Sequence, residues 1–104
     1  MAWRPSDFGA TGFVPRASHF YDSDHDSAEG WIDVSGAGAE VVRLATSGDV
    51  LAAVSSSEPA DDSGAMVQRS TYPVCYQIGA GERLWVQAIN NNNRVSAQIY
   101  VRST

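Results

Sequence analysis

In the segment RVSAQIYVR, Arg94 to Arg102, apolar and polar side chains alternate almost without interruption. Val95, Ala97, Ile99 and Val101 fall on one side, and Ser96, Gln98, Tyr100 and Arg102 on the other. That period of two belongs to a half-buried β-strand, since a helix would repeat near 3.6. Moving upstream, RLWVQAI places Leu84, Val86 and Ala88 against Arg83, Trp85, Gln87 and Ile89. YPVCYQI sets Val74, Tyr76 and Ile78 against Cys75 and Gln77. These three strands are separated by turn chemistry. Gly79–Glu82 brings glycine for positive φ angles, and the run Asn90–Asn93 brings residues that tolerate the left-handed region.

EVVRLAT and DVLAAVS predict two further strands joined around Ser47–Gly48, WIDV a shorter one, and Met66 to Arg69 a short edge strand. Between them SSSEPADDSG is a loop, because Pro59 cannot donate a ladder hydrogen bond. Nothing has the length and periodicity of an ordinary helix. The expected fold is all-β: a small antiparallel β-sandwich or jelly-roll-like barrel of six to seven short strands. Its core is expected to include Leu44, Val74, Tyr76, Ile78, Leu84, Val86, Val95, Ile99 and Val101.

The chain divides into an irregular N-terminal arm, 1–30, and a sandwich domain, 31–104. The arm holds Pro5, Pro15, Gly9 and Gly12 among the aromatic residues Trp3, Phe8, Phe13, Phe20 and Tyr21. Rings of that size bury ~150–250 Å² each on docking, so the arm is expected to pack on its own sandwich or on a neighbour. A body of some seventy residues has a small core, and oligomerisation would support it.

The acidic segment YDSDHDSAEGWIDV, Tyr21 to Val34, raises the question of a metal. Asp22, Asp24, Asp26 and Asp33 stand at the first, third, fifth and twelfth positions of a calcium loop. The match weakens at the sixth position, where Ser27 replaces the turn glycine, and at the last, where aspartate replaces a bidentate glutamate. No helix flanks it. The expectation is a solvated acidic loop, with those four aspartates as the metal candidates. His19 and His25 could join them in a zinc site, at a spacing common by chance.

Catalytic patterns are absent. No strand–turn–helix elbow singles out a serine, and no glycine-rich loop precedes a helix to cradle phosphate. Cys75, the single cysteine, sits mid-strand and far in sequence from either histidine; it cannot form an internal disulfide. A non-enzymatic protein without a cofactor is expected.

Charge is unevenly spread. Residues 1–62 carry eleven acids against Arg4, Arg16 and Arg43, while 63–104 carry Arg69, Arg83, Arg94 and Arg102 against Glu82. Such a split suits side-by-side association of copies, and it is equally the pattern of two solvated surfaces. The net charge of −5 argues against nucleic acid, and no apolar run approaches the ~20 residues of a membrane span. The first residues lack the basic start and apolar run of a secretory signal.

If the last two strands form a hairpin, Trp85 lies opposite Gln98 with Tyr100 diagonal to it, and Arg83 and Arg102 extend the same outward face. A Trp/Tyr/Arg patch has the composition of binding hot spots, unless the arm covers it. The candidate interface is therefore Trp3, Phe8 and Phe13 of the arm with Arg83, Trp85, Tyr100 and Arg102 of the hairpin.

From EVVRLATSGDVLAAVSSSEPADDSG through YQIGAGERLWVQAINNNNRVSAQIYV, the chain resembles the small β-sandwich structural proteins of tailed-bacteriophage virions. The resemblance lies in the sequence of strand pair, Ser/Pro/acid loop and paired closing strands, without a signature residue. It implies a capsid decoration or cement protein, or a head- or tail-attached component. Such a protein acts as a homo-oligomer with other virion proteins as partners, and it is located in the virion after assembly in the host cytoplasm. A carbohydrate-binding sandwich using Trp85 and Tyr100 is the alternative.

Overall fold

A computed structural model describes residues 19–61, 64–70, 72–89 and 92–101. It contains eight strands: β1 His19–His25, β2 Ile32–Asp33, β3 Ala39–Thr46, β4 Val50–Ser55, β5 Met66–Gln68, β6 Val74–Gln77, β7 Arg83–Ala88 and β8 Asn93–Val101. One short 3₁₀ turn, Ser27–Glu29, follows β1. The strands form two four-stranded antiparallel sheets: sheet A in the order β1-β8-β3-β6, and sheet B in the order β2-β7-β4-β5. Successive strands alternate between the sheets except at β4–β5. This is the jelly-roll arrangement of a β-sandwich.

The core lies between the sheets, and alternation puts it there. Val42 and Leu44 of β3, Val50 and Ala52 of β4, Leu84 and Val86 of β7, and Val95, Ala97 and Ile99 of β8 are buried together with Val34, Ala39 and Ile78. Val74 and Tyr76, expected in the core, are half-buried, with Tyr76 packed against the cluster. Gln68 ties the sheets at one side. Its amide donates to the Leu44 carbonyl at 2.8 Å, and the Tyr76 hydroxyl donates to its carbonyl oxygen at 2.7 Å. A buried amide so partnered avoids the cost of an unsatisfied polar group.

Three sequence expectations change. The eighth strand, β1, comes from residues expected to lie in the irregular arm, so sheet A begins at His19 rather than after residue 30. Its inward positions carry Tyr21, Ser23 and His25 opposite Ala97, Val95 and Asn93. Polar residues on the inward side hid its period.

Second, β7 and β8 form no hairpin, because they belong to different sheets. β8 has β1 on one side and β3 on the other, so neither of its edges is open to β7. A link of about four residues at ~3.3 Å each spans the ~10 Å between packed sheets as readily as it turns a hairpin. Asn92 does adopt the left-handed conformation, at φ 61°. Gly48, in the link between β3 and β4, meets Asn93 so closely that an added Cβ would collide with its side-chain oxygen.

Third, Val101 is 38% exposed whereas Tyr100 is 2% exposed, the reverse of strict alternation. The β3–β8 register runs Val41↔Tyr100 then Ala39↔Val101, which leaves Glu40 as an extra residue on β3. A bulge of this kind re-aims the side chains beside it.

Candidate functional site: the two outer sheet faces

The outward side chains of β1 and β8 form an ionic lattice on sheet A. Arg94 donates through Nε and Nη2 to the two carboxylate oxygens of Asp22, at 2.8 and 2.7 Å. Its Nη1 reaches Asp24 at 3.3 Å, and Ser96 Oγ donates to Asp22 at 2.7 Å. The register makes this possible by setting Asp22 beside Ser96 and Asp24 beside Arg94. Hydrogen bonds from Arg94 and then Ser96 hold the Asp22 carboxyl below its usual range, while the two acids push the Arg94 guanidinium further up.

The remaining metal candidates are also engaged, and elsewhere. Asp26 caps the 3₁₀ turn by accepting from the Ala28 N–H at 3.0 Å. Asp33 accepts from the Ser35 and Gly36 N–H groups at 3.1 and 2.9 Å and from Arg83 Nη1 at 2.6 Å. Among the described residues no three His, Cys, Asp or Glu side chains gather as metal ligands. The calcium-like spacing is thus divided between a strand, a cap and a turn. The two histidines lie at opposite ends of β1, roughly 20 Å apart at ~3.3 Å per residue, too far to share zinc. His25 sits instead between the Tyr21 hydroxyl and the Glu29 carboxylate, each at 2.5 Å.

The charge split along the chain is largely used within it. Arg69 pairs with Asp49, Arg83 with Asp33, and Arg94 with Asp22 and Asp24, each joining the arginine-rich part to the acidic part. Asp49 also accepts from the Ser70 N–H, which with Arg69 holds its carboxyl below the usual range. Cys75, on edge strand β6 opposite Arg43, is exposed. Partial desolvation pushes its thiol up and Arg43 offsets this, opposite to the environment of a nucleophilic thiolate.

Sheet B differs. Its outward positions are Arg83, Trp85 and Gln87 on β7, Leu51, Ala53 and Ser55 on β4, Val67 on β5 and Asp33 on β2. Trp85 lies opposite Ala53, so Leu51 is its diagonal neighbour, and Leu51 in turn lies opposite Val67. The indole Nε1 donates to the Ser55 carbonyl at 3.1 Å, which fixes the ring across β4. Val67 is 50% exposed, and Ile89, just past the end of β7, is 41% exposed. Leu51 and Val67 thus make an apolar pair across β4 and β5, while the Trp85 ring covers the Ser55 end of β4 on the same face. Beside it an open pocket of ≈ 290 Å³ lies between Ala53 and Ser55 of β4 and Pro59, Ala60, Asp61 and Gly64 of the following loop.

Of the expected interface, Arg83 and Trp85 share this face, whereas Tyr100 belongs to the other sheet. The Trp85–Tyr100 platform is not formed. Trp3, Phe8, Phe13 and Arg102 lie outside the described residues. Leu51 and Val67 lie on this same face, outside that expected set. Their alternation signalled a strand, but only the strand order could bring them beside Trp85. No helix among the described residues is long and apolar enough to cross a membrane. No family model, curated protein or solved structure matches the chain.

Proposed function

We propose that the protein is a non-enzymatic structural component of a tailed-bacteriophage virion, a capsid decoration or cement protein or a head- or tail-attached piece. It works in the particle as a homo-oligomer in contact with other virion proteins. The observation that carries this reading is that the outer face of sheet B holds three apolar side chains, Trp85, Leu51 and Val67. Contiguous exposed apolar surface marks contact sites, and tryptophan and arginine are the side chains that anchor them. The jelly roll is used by viral capsid proteins, but also by lectins and cupins, so the fold supports the reading by analogy alone.

The test is mass spectrometry of tailed particles, purified by density gradient, from cells making this chain during infection. Its presence in particles in stoichiometric amount is expected, and its absence would contradict the proposal. The open pocket lined by Ala53 and Ser55, on the strand that Trp85 faces, favours one other reading, a sugar-binding face. Saturable quenching of Trp85 fluorescence by a glycan would support it.

A further inference from the structure

We propose that the edge of β1, which has no partner strand among the described residues, pairs antiparallel with the same edge of a second copy of this chain, joining two A sheets into one. The strand order leaves four edges among the described residues: β1 and β6 in sheet A, β2 and β5 in sheet B. β2 has two residues, β5 three, and β6 four directly after Pro73. Short edges of this kind are ordinary protection against unwanted pairing. β1 has seven residues, HFYDSDH, with no proline or glycine. It presents the longest row of backbone donors and acceptors with no partner strand among the described residues.

Charge is the usual way to blunt such an edge, and Asp22 and Asp24 look like that device. Their charge is compensated from behind by Arg94 on β8. A two-fold axis at Asp22 would use all seven residues. It sets Asp22 against Asp22 and Phe20 of one copy against Asp24 of the other. Like charges directly opposite are destabilising, and here each pair carries its own guanidinium. Phe20, 63% exposed on the outward side of β1, gains cover in the same arrangement. A second copy is the better occupant than the preceding stretch of the chain. Gly9, Gly12 and Pro15 there are poor material for a strand folding back on β1.

The identity of the occupant rests on the assembly reading above, but the readout is separate. The full chain is studied by hydrogen exchange and sedimentation equilibrium from about 1 to about 200 µM, a range that spans micromolar association. Dimers should form, and amides in 19–25 should gain at least about ten-fold protection with concentration while those in 74–77 do not change. Phe20→Asp, which sets like charges opposite one another at Asp24 of the second copy, should weaken the dimer by about ten-fold or more while melting at about 1 µM stays with the parent's, and Arg94→Gln should weaken it most at low salt. Exchange of 19–25 that is independent of concentration overturns the proposal, as does dimerisation unaffected by Phe20→Asp. Dimers in a protein absent from particles would sink the virion reading alone. Incorporation without concentration-dependent protection would sink the β1 edge alone.

Discussion

The two outer faces of the sandwich follow the same alternation and end in opposite chemistry. On sheet A the outward residues of β1 and β8 satisfy one another, Asp22 and Asp24 with Arg94 and Ser96. On sheet B the outward residues of β4, β5 and β7 include the apolar Leu51, Val67 and Trp85, which are half-buried or exposed. One face joins its strands through charge; the other keeps apolar side chains at its surface. Period two says which side chains point away from the core. It does not say whether they are already partnered.

Both faces depend on the core between them, so the largest effect should come from destroying it. Ile99 is 4% exposed on the inward side of β8. Ile99→Asp places an unpaired charge there at a cost of several kcal/mol, comparable with the whole stability of a small domain. Circular dichroism should show an unfolded chain. A soluble variant with unchanged melting would mean that the inward and outward faces of β8 are exchanged, and the comparison with them.

A smaller loss is expected at the join between the sheets. Gln68→Ala removes the acceptor of the Tyr76 hydroxyl and the buried donor to the Leu44 carbonyl. Leaving such groups short of partners costs about 1–3 kcal/mol, a fall in melting temperature of several degrees for a domain this size. Hydrogen exchange should locate the loosening at β5 and β6. Loss confined to β1 would place the tie elsewhere.

The ionic lattice on sheet A should register weakly, and through pH. Asp22 and Asp49 have folded-state pKa values below their unfolded values. Their contribution is therefore complete above the unfolded value near ~3.9 and is lost as pH falls through the folded values. Melting temperature should drop in that acid window, and Arg94→Gln should reduce the part due to Asp22. An unaltered acid profile in Arg94→Gln would show that the lattice contributes nothing to folding. The smallest effect is expected from calcium. Millimolar calcium should leave melting unchanged, whereas a ligand at a hundred times its Kd would add ~2.7 kcal/mol.

β3, β4, β7 and β8 were legible because their inward residues are mostly aliphatic. Leu84, Val86, Val95 and Ile99 are buried as their period requires. β1 was not, because Tyr21, Ser23 and His25 occupy its inward positions, and the His25 ring is satisfied by Tyr21 and Glu29. Its aspartates copied the spacing of a calcium loop because outward positions of a strand also recur at every second residue. Trp85 and Tyr100 were placed on one face by treating a short link as a hairpin. Link length cannot distinguish a turn within a sheet from a crossing between sheets; only the occupancy of both β8 edges does. The exchanged burial of Tyr100 and Val101 depends on a bulge on β3, a strand distant in sequence.

The role of sheet B's outer face is tested most directly by incorporation of Trp85→Ser into particles beside the unaltered chain. Trp85 is half-buried, and among the described residues its indole N–H donates to a backbone carbonyl rather than to a side chain. The variant should therefore melt within a few degrees of the parent, a loss of about 1 kcal/mol. Its co-sedimentation with purified particles should fall by at least about ten-fold, the loss expected for a contact anchor. Incorporation equal to the parent's, in a variant that is folded, would contradict the assignment of this face as the contact surface.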